Sequence, residues 1–132
     1  MTPDSSVVIA AFASWSEKHE AAIEALEDVR DLVAHVELEA YSVLTRLPEP
    51  LRAAPGLVAE YLREDFSGAR MILAEAERGA LVQRLADLSI SGGAVYDASV
   101  AATADRHGHA LLSCDLRAAR TYEKLGIDVT YL

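Results

Sequence analysis

Two aspartates, Asp97 and Asp115, stand in segments otherwise built from small or apolar residues. In GGAVYDASVAATADRHGHALLSCDLRAARTY (residues 92–122), Asp97 enters a run that reads as a buried helix. Asp115 follows Ala110-Leu111-Leu112, which reads as a buried strand. Burying a carboxylate is costly unless something pairs with it. Asp4, ahead of the apolar run 7–12, and Glu39, just past the apolar stretch 32–36, hold comparable places. One pair of carboxylates about 4 Å apart costs roughly 4 kcal/mol at an effective dielectric near 20. A hard divalent cation such as Mg²⁺ relieves that repulsion. It prefers oxygen ligands, takes one or two carboxylates directly and keeps several waters. A water so held is a better nucleophile, and the cation offsets charge on a phosphoryl oxygen.

Each acidic residue also has a local reading of about equal weight. Asp4 and Asp115 suit helix N-caps. Asp97 falls in a first helical turn, where negative charge suits the dipole. Glu39 fits a solvated position beside a core stripe. The functional reading rests on their convergence.

That convergence depends on the elements between them. The apolar residues 7–12 begin a helix soon after Asp4. Residues 14–30 read as one amphipathic helix, with Ala21, Ala22, Leu26 and Val29 near helical spacing. Residues 31–36 are a strand candidate. Helix 37–47 follows, ended by Pro48 and Pro50. A helix over 57–65, a weak strand over 70–73 and a helix over 75–88 come next, closed by Ser91-Gly92-Gly93. Helix 94–107 stops at Gly108. Strand 109–113, helix 116–125 with Gly126 as its C-cap, and strand 127–131 complete the chain. Strands alternating with helices predict an α/β domain with a mainly parallel sheet and helices on both faces. Ligands in such folds bind outside the carboxyl ends of the strands. Asp4, Glu39, Asp97 and Asp115 all fall near that edge.

The 132 residues suit a single domain spanning 1–132. A hydrophobic fraction of 52% with 25% charged residues is that of a globular protein. No apolar run reaches the roughly 20 residues of a membrane span. The start MTPDSSVVIAAF lacks a basic signal-peptide region, which points to the cytoplasm. Cys114, the single cysteine, excludes an internal disulfide and a thiolate zinc site, and reads as a small core residue. The net charge of −9 argues against a broad basic footprint for nucleic acid.

The segments PDSSV, ELEAYSVLTRLP, YDASVAATA and LLSCDLRA resemble, in order and spacing, the four acidic blocks of PIN-domain ribonucleases. EAYSVLTRLP and GGAVYDASVAATA are similar in particular to the VapC toxins of bacterial toxin–antitoxin pairs. The resemblance covers nearly the whole chain. It implies a three-layer α/β/α sandwich with about five strands, and a metal-dependent endoribonuclease using Mg²⁺, with Mn²⁺ as the other option. By position it carries the acidic metal site onto Asp4, Glu39, Asp97 and Asp115, with Glu39 preferred to Glu37 because it directly precedes AYSVL. Ser5 or Ser6, and Ser113, match positions that support the site by hydrogen bonding. Only Met1, Thr2 and Pro3 precede Asp4, where the family has a longer first strand: either that strand is abbreviated or the natural chain starts a few residues earlier. The resemblance also implies a cognate VapB-like antitoxin, a homodimer and a toxin–antitoxin hetero-oligomer, with no membrane partner.

RNA still needs cations. Arg117, Arg120 and Lys124 share one face of the predicted helix 116–125, and Arg46 and Arg52 lie beyond Glu39. A merely solvated face weighs about equally. His19 reads as a packing or solvent-edge residue, and His35, His107 and His109 as structural. Phe12 and Trp15 are large apolar residues near a chain end. They form either core or a docking surface for an antitoxin helix in a groove between the first helix and the helix of Glu39. Two non-catalytic readings compete with the nuclease. A receiver-type signalling domain needs a lysine ending a late strand, and neither Lys18 nor Lys124 does so. A PIN-like protein-binding scaffold would have lost an acidic residue, and none is missing.

Overall fold

The computed structural model describes residues 1–132. Five short strands carry the parallel sheet: β1 (Thr2–Pro3), β2 (Leu32–Val33), β3 (Arg70–Met71), β4 (Leu111–Ser113) and β5 (Val129–Tyr131). Seven helices connect them: α1 (Ser5–Phe12), α2 (His19–Ala25), α3 (Ala34–Thr45), α4 (Pro55–Asp65), α5 (Glu75–Asp87), α6 (Ala94–Arg106) and α7 (Ala119–Leu125), with a 3₁₀ turn at Leu116–Ala118. Every strand pair is parallel. Helices α1 to α4 pack in one group and α5 to α7 in another, with α1, α3 and α6 against the sheet. This is the α/β sandwich expected. No helix is long and apolar enough to cross a membrane.

The sheet comes in two ladders, β1-β4-β5 and β2-β3. They lie side by side: β1 packs beside β2, and the Thr2 hydroxyl donates to Asp31 O at 3.3 Å. The break between them has a covalent cause. Thr2 N–H donates to Ala110 O and Asp4 N–H to Leu112 O, both towards β4. Alternate residues of a strand face opposite neighbours, so the nitrogen of Pro3 faces β2. Proline has no N–H to give there.

Local chemistry sets the helix ends. Asp4 caps α1 by accepting from Ser6 N–H (3.0 Å) and Val7 N–H (3.4 Å). Pro55 opens α4, where a missing N–H costs nothing. Gly126 ends α7 in the left-handed region at φ +69°, a conformation that glycine adopts without penalty. The core gathers Val7, Val8, Leu32, Val36, Leu112 and Tyr122, all essentially inaccessible. Each such aliphatic side chain is worth about 2 kcal/mol relative to exposure.

Several expectations are corrected. The helix over 14–30 is only α2, because Ala13 closes α1 and residues 14–18 turn. The strand over 31–36 stops at Val33, and α3 starts directly after it. Glu39, expected in the first turn of a helix over 37–47, is therefore more than one turn inside α3. The helix over 116–125 begins as a 3₁₀ turn, so Arg117 is out of α-helical register with Arg120 and Lys124.

Candidate active site

Asp4 ends β1 and lies at the sheet's carboxyl edge, only 5% exposed. Its Oδ1 accepts from the Ser6 hydroxyl as well as from the two helix N–H groups, and its Oδ2 accepts from the Tyr122 hydroxyl at 3.0 Å. The Ser6 hydroxyl also accepts from Cys114 N–H at 2.8 Å, tying the start of α1 to the end of β4. Burial and the Asp4 charge raise the Tyr122 phenol far above its ordinary pKa, so it stays a donor. Ser113 accepts from Asp115 N–H at 3.0 Å. Ser6 and Ser113 thus take part in hydrogen bonds at the ends of β1 and β4. Ser5 is half-buried in the first turn of α1.

Asp97 lies in the first turn of α6, half-buried. Its carboxyl is pushed up to about 6, first by burial and then by the charges of Glu39, Asp115 and Asp4; Arg117 pulls it down more weakly. No hydrogen bond offsets the rise. Four residues spread over the chain therefore act on one another through space. Glu39 projects from α3, where His35 sits one turn earlier with Nε2 3.6 Å from Glu39 Oε2.

Asp115 follows β4 and caps the 3₁₀ turn through Arg117 N–H at 2.9 Å. The Arg117 guanidinium returns to the same carboxylate, Nε to Oδ1 at 3.1 Å and Nη2 to Oδ2 at 3.3 Å. That side chain is 92% exposed. Asp4 and Asp115 are thus caps as well as members of the cluster; the local and functional readings coexist.

A cavity of about 800 Å³ opens over this edge, walled by Glu39, Asp97, Asp115, Arg117 and Arg46. Asp4 lies outside its lining. The carboxylates share the rim without closing into a ligand cluster of three or more. Asp4 is turned into its four donors and Asp115 towards Arg117, as expected of like charges that avoid each other.

Of the other basic candidates, Arg52 is turned away, donating to Leu47 O at 2.8 Å and pairing with Glu49. Arg120 and Lys124 are exposed but do not line the cavity. Cys114 is only partly buried, with its thiol pushed up by burial. Two residues passed over in the sequence do line the cavity: His35, read as structural, and Tyr96. Their rings are stacked, centroids 5.5 Å apart and planes 8° from parallel. The available signal was spacing: His35, Glu39, Ser42 and Arg46 recur on one face of α3.

Phe12 and Trp15 separate. Phe12 packs on the core and tilts against Tyr61, centroids 5.2 Å apart; Trp15 is 52% exposed. Helices α1 and α3, the pair expected to hold the antitoxin groove, pack against each other. A groove of about 780 Å³ lies between α1, α2 and α4. Phe12, Ile23, Leu26, Leu57 and Tyr61 are among its lining residues, and Trp15 is not.

The PIN domain family model matches residues 1–124. The chain is 46% identical over 129 residues to ribonuclease VapC40 of Mycobacterium tuberculosis, covering 98% of this chain and 96% of that protein. It is 43% identical over 120 residues to ribonuclease VapC27 of the same species, covering 91% of this chain and 80% of that protein.

Proposed function

Because the chain belongs to the PIN domain family, among VapC-type ribonucleases, we propose that it is a metal-dependent endoribonuclease acting as the toxin of a toxin–antitoxin pair. The observation that carries this is Asp97. Its half-buried carboxylate has no hydrogen-bond donor and is held at a pKa of about 6 by burial and three further carboxylates. A purely structural residue in that place costs stability and returns nothing. A cation makes it favourable.

The donor set fits a hard divalent ion: oxygen only, from Asp97, Glu39 and Asp115 on the cavity wall, with Asp4 behind them. Mg²⁺, or Mn²⁺, needs only one or two carboxylates directly and completes its shell with water. The bound ion would activate a water for attack on a phosphodiester and offset charge on the phosphoryl oxygen. The chain's own residues do the rest. Ser6 and Tyr122 hold Asp4 in a single orientation. Arg117 holds Asp115 and, being exposed, is free to turn towards a phosphate. Arg46 stands at the far end of the α3 stripe as a second phosphate contact.

The partner surface of this reading is the groove between α1, α2 and α4. Its floor is apolar, and its rim carries Glu27, Glu60, Glu64 and Asp65 against a single Arg30. That pattern suits an amphipathic antitoxin helix with basic flanks. A homodimer of the toxin, a toxin–antitoxin hetero-oligomer and a cytoplasmic setting belong to the same proposal.

The test is incubation with total RNA, with and without Mg²⁺, followed by mapping of new ends. Discrete new ends that require the cation and vanish with Asp97→Asn are the expected result. Intact RNA under both conditions would overturn the proposal.

A further inference from the structure

The stacked rings of His35 and Tyr96 both line the cavity; His35 also reaches Glu39, whereas Tyr96 has no carboxylate partner. Tyr96 immediately precedes Asp97, and His35 stands one helical turn before Glu39, so each ring is fixed beside an acidic residue by its own helix. Their near-parallel stack, 5.5 Å between centroids, joins α3 to α6 across the rim. Tyr96 is nonetheless 58% exposed. That exposure, with the offset of the stack, leaves ring surface of Tyr96 open at the cavity. Water is a poor neighbour for such a face, and an unpaired nucleobase is a good one: every base presents a flat π surface.

The α3 stripe sets the direction. From His35 to Arg46 the helix advances roughly 16 Å at 1.5 Å per residue. Glu39 and Ser42 lie between, so the stripe runs from an aromatic end through the carboxylates to a cationic end. A single strand laid along it meets a stacking face, the acidic centre and a guanidinium in turn. Double-stranded RNA keeps its bases stacked within the helix, so this arrangement fits single-stranded segments.

We propose that the His35–Tyr96 stack is a platform for one unpaired nucleobase flanking the scissile phosphate, making Tyr96 a substrate-positioning residue. This rests on the ribonuclease reading above and adds to it one defined base position. Stacking is tolerant of base identity, so the platform fixes register more than sequence.

The test uses the whole protein and a single-stranded oligoribonucleotide spanning a mapped cleavage site, together with a series in which one nucleotide at a time is made abasic. Binding is measured without added metal, and cleavage with Mg²⁺. Tyr96→Leu should weaken binding about five- to a hundredfold, the range given by one base–aromatic stack. Tyr96→Phe should stay within about twofold of wild type. One abasic position should weaken wild type by a similar factor and leave Tyr96→Leu almost unaffected, because the two changes remove the same contact. Mg²⁺-induced thermal stabilisation should be unaltered in both variants, separating loss of the platform from damage to the carboxylates. Equal binding by Tyr96→Leu and wild type, or penalties that add at every abasic position, would overturn the platform while leaving the nuclease assignment standing. Absence of cleavage by wild type would instead strike the ribonuclease reading.

Discussion

Tyr122 and Asp4 lie 118 residues apart and are joined by one hydrogen bond of 3.0 Å, from the phenol to Oδ2. Both are buried, and the bond spans α7 and the end of β1. Tyr122→Phe keeps the ring in the core and leaves Oδ2 without its donor. A bond to a charged acceptor of this kind is worth about 1–3 kcal/mol. Urea denaturation should register a loss of that size. Mg²⁺ affinity should fall about tenfold, as when other groups that orient ligands are removed. Unchanged stability would mean that the phenol is a spectator.

Asp97→Asn removes the charge that three other carboxylates oppose, and keeps the side-chain shape. Cleavage should drop by more than about a hundredfold, since a bound cation would lose its least encumbered ligand. Secondary structure by circular dichroism should be unchanged. Cleavage at the wild-type rate would rule Asp97 out of the site.

The same residue predicts a pH effect. Its folded pKa of about 6 stands above the ordinary 3.8. Between these values the folded protein keeps a proton that the unfolded chain has released, so this group's contribution to stability falls as pH rises across the window. Its half-exposure limits the effect to on the order of 1 kcal/mol after screening. Without metal, Asp97→Asn should match wild type near pH 4 and exceed it above pH 6. Saturating Mg²⁺ at pH 7.5 should erase that advantage. Parallel stability curves for the two proteins would refute the shift.

Arg117 covers Asp115 with an almost fully exposed guanidinium. Arg117→Ala should weaken RNA binding and flatten its salt dependence by about one phosphate contact. Mg²⁺ binding should hold steady or tighten, because a competing cation has gone. Arg52→Ala, whose guanidinium is engaged with Leu47 and Glu49, should leave the salt slope alone. Equal slopes for wild type and Arg117→Ala would return Arg117 to a capping role.

Ile23 and Leu57 are 51% and 59% exposed within the groove between α1, α2 and α4. Replacing both with Glu adds charge to an apolar floor without emptying the core. Copurification of a co-expressed antitoxin should be lost, whereas Trp15→Ala, outside the groove, should retain it. The reverse pattern would move the interface to the turn after α1.

Much of this was legible because local and global demands agree. Asp97 stands out among small residues, and α6 occupies nearly the span that its spacing predicts. Gly108 and Gly126 mark their stops through positive φ. Less legible was whatever depends on neighbours distant in the chain. Residues 21–29 carry helical spacing, but Trp15 and its neighbours turn so that α2 can pack back on α1. Phe12 and Trp15 look alike in sequence, yet only Phe12 finds a ring to meet, on α4. The His35–Tyr96 stack pairs residues 61 positions apart, and nothing in either local segment announces the other.

The missing N–H of Pro3 has a mechanical side. Asp4 and Asp115 follow β1 and β4, on one bank of the break in the sheet, and Glu39 follows β2 on the other. Asp97 rides on α6, which packs against both β2 and β4. Left bare, these charges press the two ladders apart along the one line with no main-chain bonds to resist. A cation held among Glu39, Asp97 and Asp115 would tie the two banks together across it. On the nuclease reading, catalytic competence and the grip of one half of the sheet on the other would then rise and fall together, so a molecule that lost its ion would loosen at the place where it fell silent.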